Sequence, residues 1–578
     1  MMVIHASASR HVAVVTLVLL TAACGSTSQS GSADAMKSAP AGGSSMQMGP
    51  PATLADWTKG AKLFNDLGTY HRQITTTSPE AQQYFDQGMR LMWAFNHDEA
   101  TRSFAKAATI DPACGMCYWG VALSVGPNYN LPVMAPPRAQ VAFDAVQSAK
   151  KNAAKATPVE QALITALATR YPDAKPLDPT NNNPVFVAYA NAMRDVAKQF
   201  PSDADVQVMF AEALMDTNAW KLWTNDGKPA IGTPEIEETL ERVLAAAPNH
   251  PGANHYYIHT MEASPHPEKA LASAERLHNM EPGAGHLQHM PAHIYQRVGR
   301  YEDAAQANRD GMKADDAYMA ATQPLDYYGM YVAHNYQFLG YSASMEGRQA
   351  EAREAAHKMR EEIPVEMLLQ MPGMDWAVSQ VYMTMIRFGA WDAIVAEPAP
   401  DARLKTLTGG YLFARVLAFC AKDRLDAAKE SADRLKKLAA DLPPDAAAGF
   451  NSAKDILGLA ILIADANIAH ALGKHDEALA KLREAAAKED QLSYDEPADW
   501  FVPVRHQLGA WLLAAGKAAE AEKVYRADLV QHPKNGWALF GLAQALTAEK
   551  KSGEAAKVQK EFAEAWKNAD VKLSGSIF

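Results

Sequence analysis

The residues that could do chemistry are concentrated in one stretch of the chain. Residues 250–293 contain eight of the 18 histidines in this 578-residue sequence, far more than an even spread would place there. They are His250, His255, His259, His266, His278, His286, His289 and His293. Imidazole is a common ligand of zinc, copper, iron and nickel, so a cluster of this kind indicates a transition-metal site.

Two groups within this stretch have the spacing of a single helix face. The first is His255, His259 and Glu262, at i, i+4 and i+7. The second is His286, His289 and His293, at i, i+3 and i+7. At about 100° per residue, the side chains of each group span only about 60° around the helix axis, so they lie on one face. Side chains at i and i+4 are about 5–6 Å apart at Cβ, which suits two imidazoles on one metal ion.

Three interpretations of these histidines remain open from the sequence. They could hold a transition metal, donate hydrogen bonds in a peptide-binding groove, or pack between helices with each ring bound to a backbone carbonyl. The segment from His255 to His259 has the histidine spacing of zinc metalloproteases, but Tyr256 stands where the general-base glutamate belongs. That motif is therefore excluded.

A helix-turn-helix repeat of about 34 residues organises the chain around this stretch. The first unit is marked by Tyr84, Gly88, Leu91, Ala100, Phe104, Ala107 and Pro112. Pro112 ends the second helix because proline lacks an amide donor. Comparable units recur across residues 81–565. This spacing resembles the tetratricopeptide repeat (TPR), which implies an all-α, TPR-like solenoid whose first helices line a concave binding face.

The repeat is expected to bring the two histidine groups together. His255 and His289 are 34 residues apart, as are His259 and His293. In such a solenoid these are equivalent positions on neighbouring parallel helices, with axes about 8–10 Å apart. The four imidazoles are therefore predicted to form one patch that binds zinc, copper or iron. The remaining candidate ligands are Glu262, His286 and His334.

The first residues resemble a processing signal. Arg10 precedes an apolar run at residues 12–20 that is too short to span a bilayer, and Cys24 follows small residues. This arrangement resembles a bacterial lipoprotein signal peptide, which implies lipidation of Cys24. Gly25 after the cysteine resembles sorting to the periplasmic side of the outer membrane, where the lipid would anchor the chain. An ordinary secretory signal is the alternative.

The signal, the repeats and the histidine-rich centre together resemble a group of bacterial TPR-domain lipoproteins. We predict a signal peptide at residues 1–24 and a flexible Ser/Gly/Ala-rich tether at 25–55. An N-terminal TPR-like array is predicted at 56–395 and a C-terminal TPR array at 396–578. Loops rich in Pro, Asn or Gly are predicted at 126–132, 173–184 and 224–229.

Net charge and cysteine content limit the remaining functions. The formal net charge of −11 argues against a nucleic-acid partner, so a protein or peptide partner is expected. Cys114 and Cys117 form a C-x-x-C pair, for which an oxidising compartment predicts a local disulfide. The sequence favours a binding scaffold with a transition-metal site over an enzyme. A metal-dependent hydrolase or oxidoreductase is the alternative.

Overall fold

The computed structural model describes residues 51–322, 324 and 328–578, except for the side chains of residues 179–182. The predicted signal peptide, Cys24 and residues 25–50 of the tether lie outside the described residues.

Helices make up most of the described chain. The first thirteen are α1 (Leu54–Trp57), α2 (Pro79–Trp93), α3 (His97–Ile110), α4 (Gly115–Ser124), α5 (Pro136–Asn152), α6 (Pro158–Ala168), α7 (Pro179–Gln199), α8 (Ala204–Met215), α9 (Thr233–Ala246), α10 (Pro251–Met261), α11 (Leu271–Leu277), α12 (Gly285–His289) and α13 (Pro291–Arg297). The others are α14 (Tyr301–Ala321), α15 (Tyr328–Met345), α16 (Gln349–Glu362), α17 (Val365–Gln370), α18 (Gln380–Arg387), α19 (Trp391–Ala396), α20 (Lys405–Ala421), α21 (Leu425–Asp441), α22 (Ala453–Ala471), α23 (His475–Glu489), α24 (Val504–Ala514), α25 (Ala518–Gln531), α26 (Gly536–Ala548) and α27 (Ser552–Ala565).

Few described residues adopt other regular structure. Short 3-10 helices are Ala153–Lys155, Asp216–Asn218, Pro267–Ala270 and Met374–Ser379. Two antiparallel two-residue strands are β1 (Ala447–Ala448) and β2 (Asn451–Ser452).

The helices are arranged as an all-α, TPR-like solenoid, which confirms the predicted fold class. Most helices pack against the next one along the chain and, in the regular parts, against the one after that. This pattern holds for α2, α3 and α4, for α20, α21 and α22, and for α24, α25 and α26. It is the packing expected when helix-turn-helix units stack on their neighbours.

Large aromatic side chains lock successive units together. Phe104 on α3 is buried against Gly88 on α2 and Gly120 on α4, where any Cβ would overlap its ring. Tyr525 on α25 has the same relationship to Gly509 and Gly541. The small residues marking the repeat in the sequence are thus the places where a second helix inserts an aromatic ring between two first helices.

Eight units share one kind of turn between their two helices. The residue two positions after the first helix has a left-handed backbone, with φ between 53° and 76°. The eight residues are Phe95, Gly299, Gly347, Gly389, Asp423, Gly473, Gly516 and Lys550. The next residue donates its N–H to a carbonyl five residues back, as Asn96 does to Leu91. Glycine is the usual residue here because it has no Cβ to strain.

One loop prediction needs correction. The stretch 173–184 was predicted to be a loop, but α7 already begins at Pro179 and contains Pro184. Proline is tolerated at the first position of a helix because the amide there has no partner to lose. Among the described residues, no helix is both long and apolar enough to cross a membrane.

Two large buried apolar clusters run through the molecule. One extends from Trp57 to Phe338 and the other from Tyr301 to Val558, so they meet around α14 and α15. The histidine-rich helices α10, α12, α13 and α15 lie at this junction. The predicted division of the chain at residue 396 stays a prediction.

Candidate metal centre

Four helices and one proline position the predicted ligands. His255 and His259 lie on α10, which Glu262 caps at its C-terminal end. The next first helix is interrupted at Pro291, which cannot donate a helical hydrogen bond. The N–H of His293 instead donates to the Met290 carbonyl at 3.2 Å, a tighter turn than that of an α-helix. His286 and His289 therefore belong to α12, and His293 belongs to α13.

The first cluster consists of His255, His259 and His286. Their candidate ligand atoms all lie within 4.8 Å of one another. In each ring Nε2 is buried and has no hydrogen-bond partner among the described residues. A buried imidazole nitrogen without a hydrogen bond is unfavourable in packing alone, whereas binding to a metal ion would satisfy it.

Hydrogen bonds orient two rings of the first cluster. His255 Nδ1 lies 2.6 Å from the Trp93 carbonyl oxygen, to which it donates. His259 Nδ1 lies 2.8 Å from a carboxylate oxygen of Glu262. These bonds place the proton on Nδ1 and leave the lone pair on Nε2. Metal-binding histidines are oriented in this way by carbonyl or carboxylate partners.

The second cluster consists of His289, His293 and His334, whose candidate ligand atoms also lie within 4.8 Å of one another. The Nε2 atoms of His289 and His293 are 2.7 Å apart. His289 Nδ1 lies 2.7 Å from the Asn308 side-chain oxygen, which fixes its ring. His334 is the most exposed of the six rings, at 24%.

Two carboxylates join the clusters from outside. One oxygen of Glu262 accepts from His259 and the other from His293, so a single side chain contacts both clusters. Glu496 lies 2.8 Å from His293 Nδ1 and 4.0 Å from His334 Nε2. Glu262, His293 and Glu496 also form a third group that could hold an ion. We interpret the carboxylates as orienting groups, because their oxygens lie at hydrogen-bonding distance from Nδ1.

A connection from the second half of the chain completes the enclosure. Residues 490–503, between α23 and α24, carry Glu496 and also Tyr494, whose hydroxyl lies 3.4 Å from Glu262. The connection is held by Asn451, which bonds Ser493 and Asp499, and by the Trp376 indole, which donates to the Asp499 carbonyl. Long ordered connections of this kind commonly serve a site.

Burial keeps five of the six rings neutral. It lowers the pKa of His259 to about 3 and that of His334 to about 4. It also holds the pKa of His255, His286 and His289 well below the ordinary value. Desolvation disfavours the charged imidazolium, and the neutral ring is the form that binds metals.

His293 behaves differently because it faces both carboxylates. Burial lowers its pKa, but Glu496 and Glu262 together outweigh burial and raise the pKa to about 10. Burial, reinforced by Glu262, raises the pKa of Glu496 to about 7. A proton is therefore held between His293 and the carboxylates when no cation is bound to the ring.

Aromatic rings and burial exclude water from the first cluster. The Phe95 ring centroid lies 4.4 Å from that of His255 and 5.5 Å from that of His259. Tyr129 and Trp220 cover His259 from another side, at 5.3 and 6.1 Å. His255 is fully buried, so the first cluster lies in the interior, whereas His334 of the second cluster is partly exposed.

All seven predicted ligands converge, but in a different grouping. The sequence predicts one patch of His255, His259, His289 and His293, whereas the structure separates these residues into two pairs. His286 completes the first pair and His334 the second. Glu262 lies between the clusters as a hydrogen-bond acceptor, a position from which it orients rings of both.

Several residues of the site were not predicted. Asn308 and Glu496 are polar residues in unrelated segments, and Phe95 lies in an interhelical turn. Only the fold brings them to the histidines. A sequence signal existed for Phe95 alone, since it occupies the turn position where most other units have glycine.

The predicted cysteine pair lies away from the clusters, at the start of α4. Cys114 and Cys117 are joined by a disulfide, and Cys114 is the residue preceding the helix.

No protein-family model matches this chain, and neither does any curated protein. Similar solved structures include a human IFIT1 dimer with m7Gppp-AAAA, with a TM-score of 0.33 and 11% identity, covering 78% of this chain and 90% of that chain. Yeast Tom70 has a TM-score of 0.27 and 10% identity, covering 84% and 93%. The Cut9–Hcn1 assembly of the APC/C has a TM-score of 0.29 and 10% identity, covering 84% and 90%. These likenesses concern the helical-repeat fold alone.

Proposed function

We propose that this protein binds a pair of transition-metal ions, one in each three-histidine cluster, and that this pair is its functional centre. The observation that carries the proposal is that His255, His259 and His286 have candidate ligand atoms within 4.8 Å of one another, while the buried Nε2 of each ring has no hydrogen-bond partner among the described residues. Three protein ligands per ion leave a coordination position for a small molecule, as in catalytic sites.

Copper fits this ligand set best. Six imidazoles favour late transition metals over magnesium, calcium or manganese, which prefer oxygen ligands. Among the described residues, Glu262 and Glu496 form ion pairs with histidines only, so their charges remain available to balance bound cations. Two Cu(I) ions would match the two carboxylates in charge, so the reduced copper pair would be buried at lower electrostatic cost than two zinc ions or two Cu(II) ions.

The closed site favours the enzyme alternative over the open binding scaffold. A peptide could not reach His255, His259 or His289, each of which is at most 1% exposed. A copper pair supplies one-electron redox chemistry at each ion, which indicates an oxidoreductase of small molecules. The chain's own residues would hold the ions, fix the ring orientations and exclude water.

Elemental analysis of protein purified without a histidine tag tests this proposal. We expect two metal equivalents per chain, one equivalent in His255→Ala, one in His289→Ala, and none in the double variant. His266→Ala is the matched control, because His266 belongs to the same histidine-rich stretch but is exposed. Unchanged metal content in the double variant would refute the metal centre. Zinc in place of copper would refute the assigned metal and the redox function.

The lipid anchor and the location belong to the same proposal. We propose that Cys24 is lipidated and holds the solenoid on the periplasmic side of a bacterial outer membrane, as the first residues suggest. Cys24→Ser should move the protein from the membrane fraction to the soluble periplasmic fraction. Recovery of Cys24→Ser in the membrane fraction would contradict the anchor.

We also propose a protein or peptide partner on the concave face of the solenoid. The TPR-like fold supports this, and the Cut9 neighbour is itself seen in an assembly with Hcn1. Crosslinking in intact cells, followed by repetition with purified components, tests for such a partner.

A further inference from the structure

A cavity lies directly beside the first histidine cluster. Its volume is about 90 Å³, smaller than a drug-sized ligand site, so only a small molecule would fit. Aromatic side chains form much of its wall: Phe64, Phe95, Tyr318, Tyr328 and Tyr331. His286, a member of the first cluster, lines the same cavity. A molecule in this space would therefore contact the candidate metal centre.

Phe95 forms the wall between the cavity and the cluster. Its ring stacks on His286 and His259, with centroid distances of 5.6 and 5.5 Å and interplanar angles of 20° and 17°. Its backbone has φ 53°. Five of the seven equivalent turns use glycine, so a bulky aromatic residue here carries backbone strain that glycine would avoid. Because Asp423 and Lys550 also replace glycine in equivalent turns, the feature that distinguishes Phe95 is its stacking on His259 and His286.

The wall determines what the cavity can accept. None of the described residues that line it is lysine or arginine, and Asp66 contributes an acidic group. Lys62, which contacts the lining residues Phe64 and Ala321, donates to the Ala321 carbonyl, so the wall itself offers no cation to an anionic molecule. The hydroxyls of Tyr318 and Tyr328 donate to Glu99 and Asp315, at 3.1 and 2.7 Å. These two side chains consequently offer mainly ring surface, which favours a flat, uncharged aromatic ligand.

We infer that this cavity is the substrate site of the metal pair, that it takes an uncharged planar aromatic molecule, and that Phe95 is its specificity-determining wall. The inference rests on the proposed metal centre, because the ligand is placed there to reach the ion of the first cluster. Binding in the cavity itself requires no metal, so the two proposals can be tested separately.

Phenol is the probe, and its proton relaxation in solution is the measurement. Saturation-transfer NMR on the metal-free protein should show phenol binding. Protein loaded with Cu(II), which is paramagnetic, should broaden the phenol lines, whereas zinc-loaded protein should not. Phenol binding without broadening by bound copper would overturn the inference, since the ligand would then lie away from the metal. Absence of phenol binding to both forms would overturn it as well, while leaving metal binding intact.

Variants at the cavity rim supply the matched controls. Ala317 and Ala320 are both exposed on α14, but only Ala317 lines the cavity. Ala317→Trp should weaken phenol binding at least about tenfold, and Ala320→Trp should leave it within about twofold. Equal effects of the two variants would overturn the assignment of the cavity.

The Phe95→Leu variant tests whether the aromatic ring of Phe95 contributes to phenol binding, while it keeps an apolar side chain in place. It should weaken phenol binding about three- to tenfold, the range expected for loss of an aromatic pair. The metal content should remain at two equivalents. Unchanged phenol affinity in Phe95→Leu would refute the role of Phe95. Failure of the unmodified protein to take up metal would refute the proposed function itself, and elemental analysis detects that failure independently of phenol.

Discussion

The Nε2 atoms of His289 and His293 lie 2.7 Å apart in the interior of the solenoid. Two nitrogen lone pairs repel each other at this distance unless a proton or a cation lies between them. The raised pKa of His293 supplies a proton that its Nε2 can donate to His289. A metal ion that binds both rings must displace this proton, so the second cluster exchanges one cation for another.

Glu262 is predicted to be the residue whose neutralisation weakens metal binding at both clusters. Its two oxygens accept from His259 and His293. In Glu262→Gln, the amide keeps one acceptor but turns a donor toward the other ring, so one imidazole loses its orientation. We expect metal affinity to fall about 10- to 100-fold, measured by competition with a chromogenic chelator.

The control for Glu262 is Glu268→Gln. Glu268 is exposed and lies next to His266, outside both clusters. Its substitution should leave both affinities within about twofold. An equal loss in the two variants would point to a general charge effect, which is incompatible with a specific role for Glu262.

Glu496 is predicted to act mainly on the second cluster. It contacts His293 and His334, whereas no member of the first cluster is its ion-pair partner among the described residues. In a His255→Ala background, which retains the second cluster, Glu496→Gln should lower metal affinity about tenfold. The same substitution in a His289→Ala background should have a smaller effect on the first cluster, where Glu496 acts on His259 through its charge alone. Calorimetric titration of both backgrounds measures the contrast.

Much of the fold could be predicted from the sequence because the repeat is local. Gly88 and Phe104 fall at offsets typical of a helix-turn-helix repeat, and the structure places the Phe104 ring between Gly88 and Gly120. The structure of residues 173–184 was harder to predict, because the proline and asparagine content of this stretch suits both a loop and a helix start. There α7 begins at Pro179.

Only those parts of the candidate site that follow from local residue spacing and from the repeat register could be predicted. The pairs His255–His259 and His289–His293 follow from spacing on one turn. Their division into two clusters does not, because it depends on the helix break at Pro291 and on where α15 places His334. The role of Glu496 could not be predicted from the sequence, since Glu496 is 203 residues from its partner His293.

Because the helices of successive units pack closely, we predict that alanine substitutions at two glycines change the free energy of unfolding in opposite directions. A Cβ at Gly120 would overlap the Phe104 ring, whereas nothing lies within 4 Å of a Cβ at Gly553 on exposed α27. Gly120→Ala should lower the free energy of unfolding by about 1–3 kcal/mol through overpacking. Gly553→Ala should raise it by up to about 1 kcal/mol, because alanine favours the helix. Urea denaturation followed by circular dichroism measures both, and destabilisation by Gly553→Ala would contradict the packing argument.

Asp205 is predicted to stabilise the fold in a pH-dependent way. Its carboxylate lies 2.6 Å from the Tyr70 hydroxyl and 2.9 Å from His250 Nε2, and it also pairs with Arg72. Burial alone would raise the pKa of Asp205, but His250 and Arg72 outweigh burial and lower the pKa from 3.8 to about 2. The ionised form is therefore favoured by folding, which corresponds to about 2 kcal/mol of stability.

This contribution should be complete above pH 3.8 and should be lost as the pH falls through about 2. Asp205→Asn should therefore lower the free energy of unfolding at pH 7, and its difference from the unmodified protein should shrink between pH 4 and pH 2. Asp195→Asn is the control, because the Asp195 side chain is 81% exposed on neighbouring α7. Urea denaturation at each pH measures the differences. If the effect of Asp205→Asn were the same at pH 7 and near pH 2, the carboxylate charge would not be what stabilises this contact, and its shape alone would account for the loss.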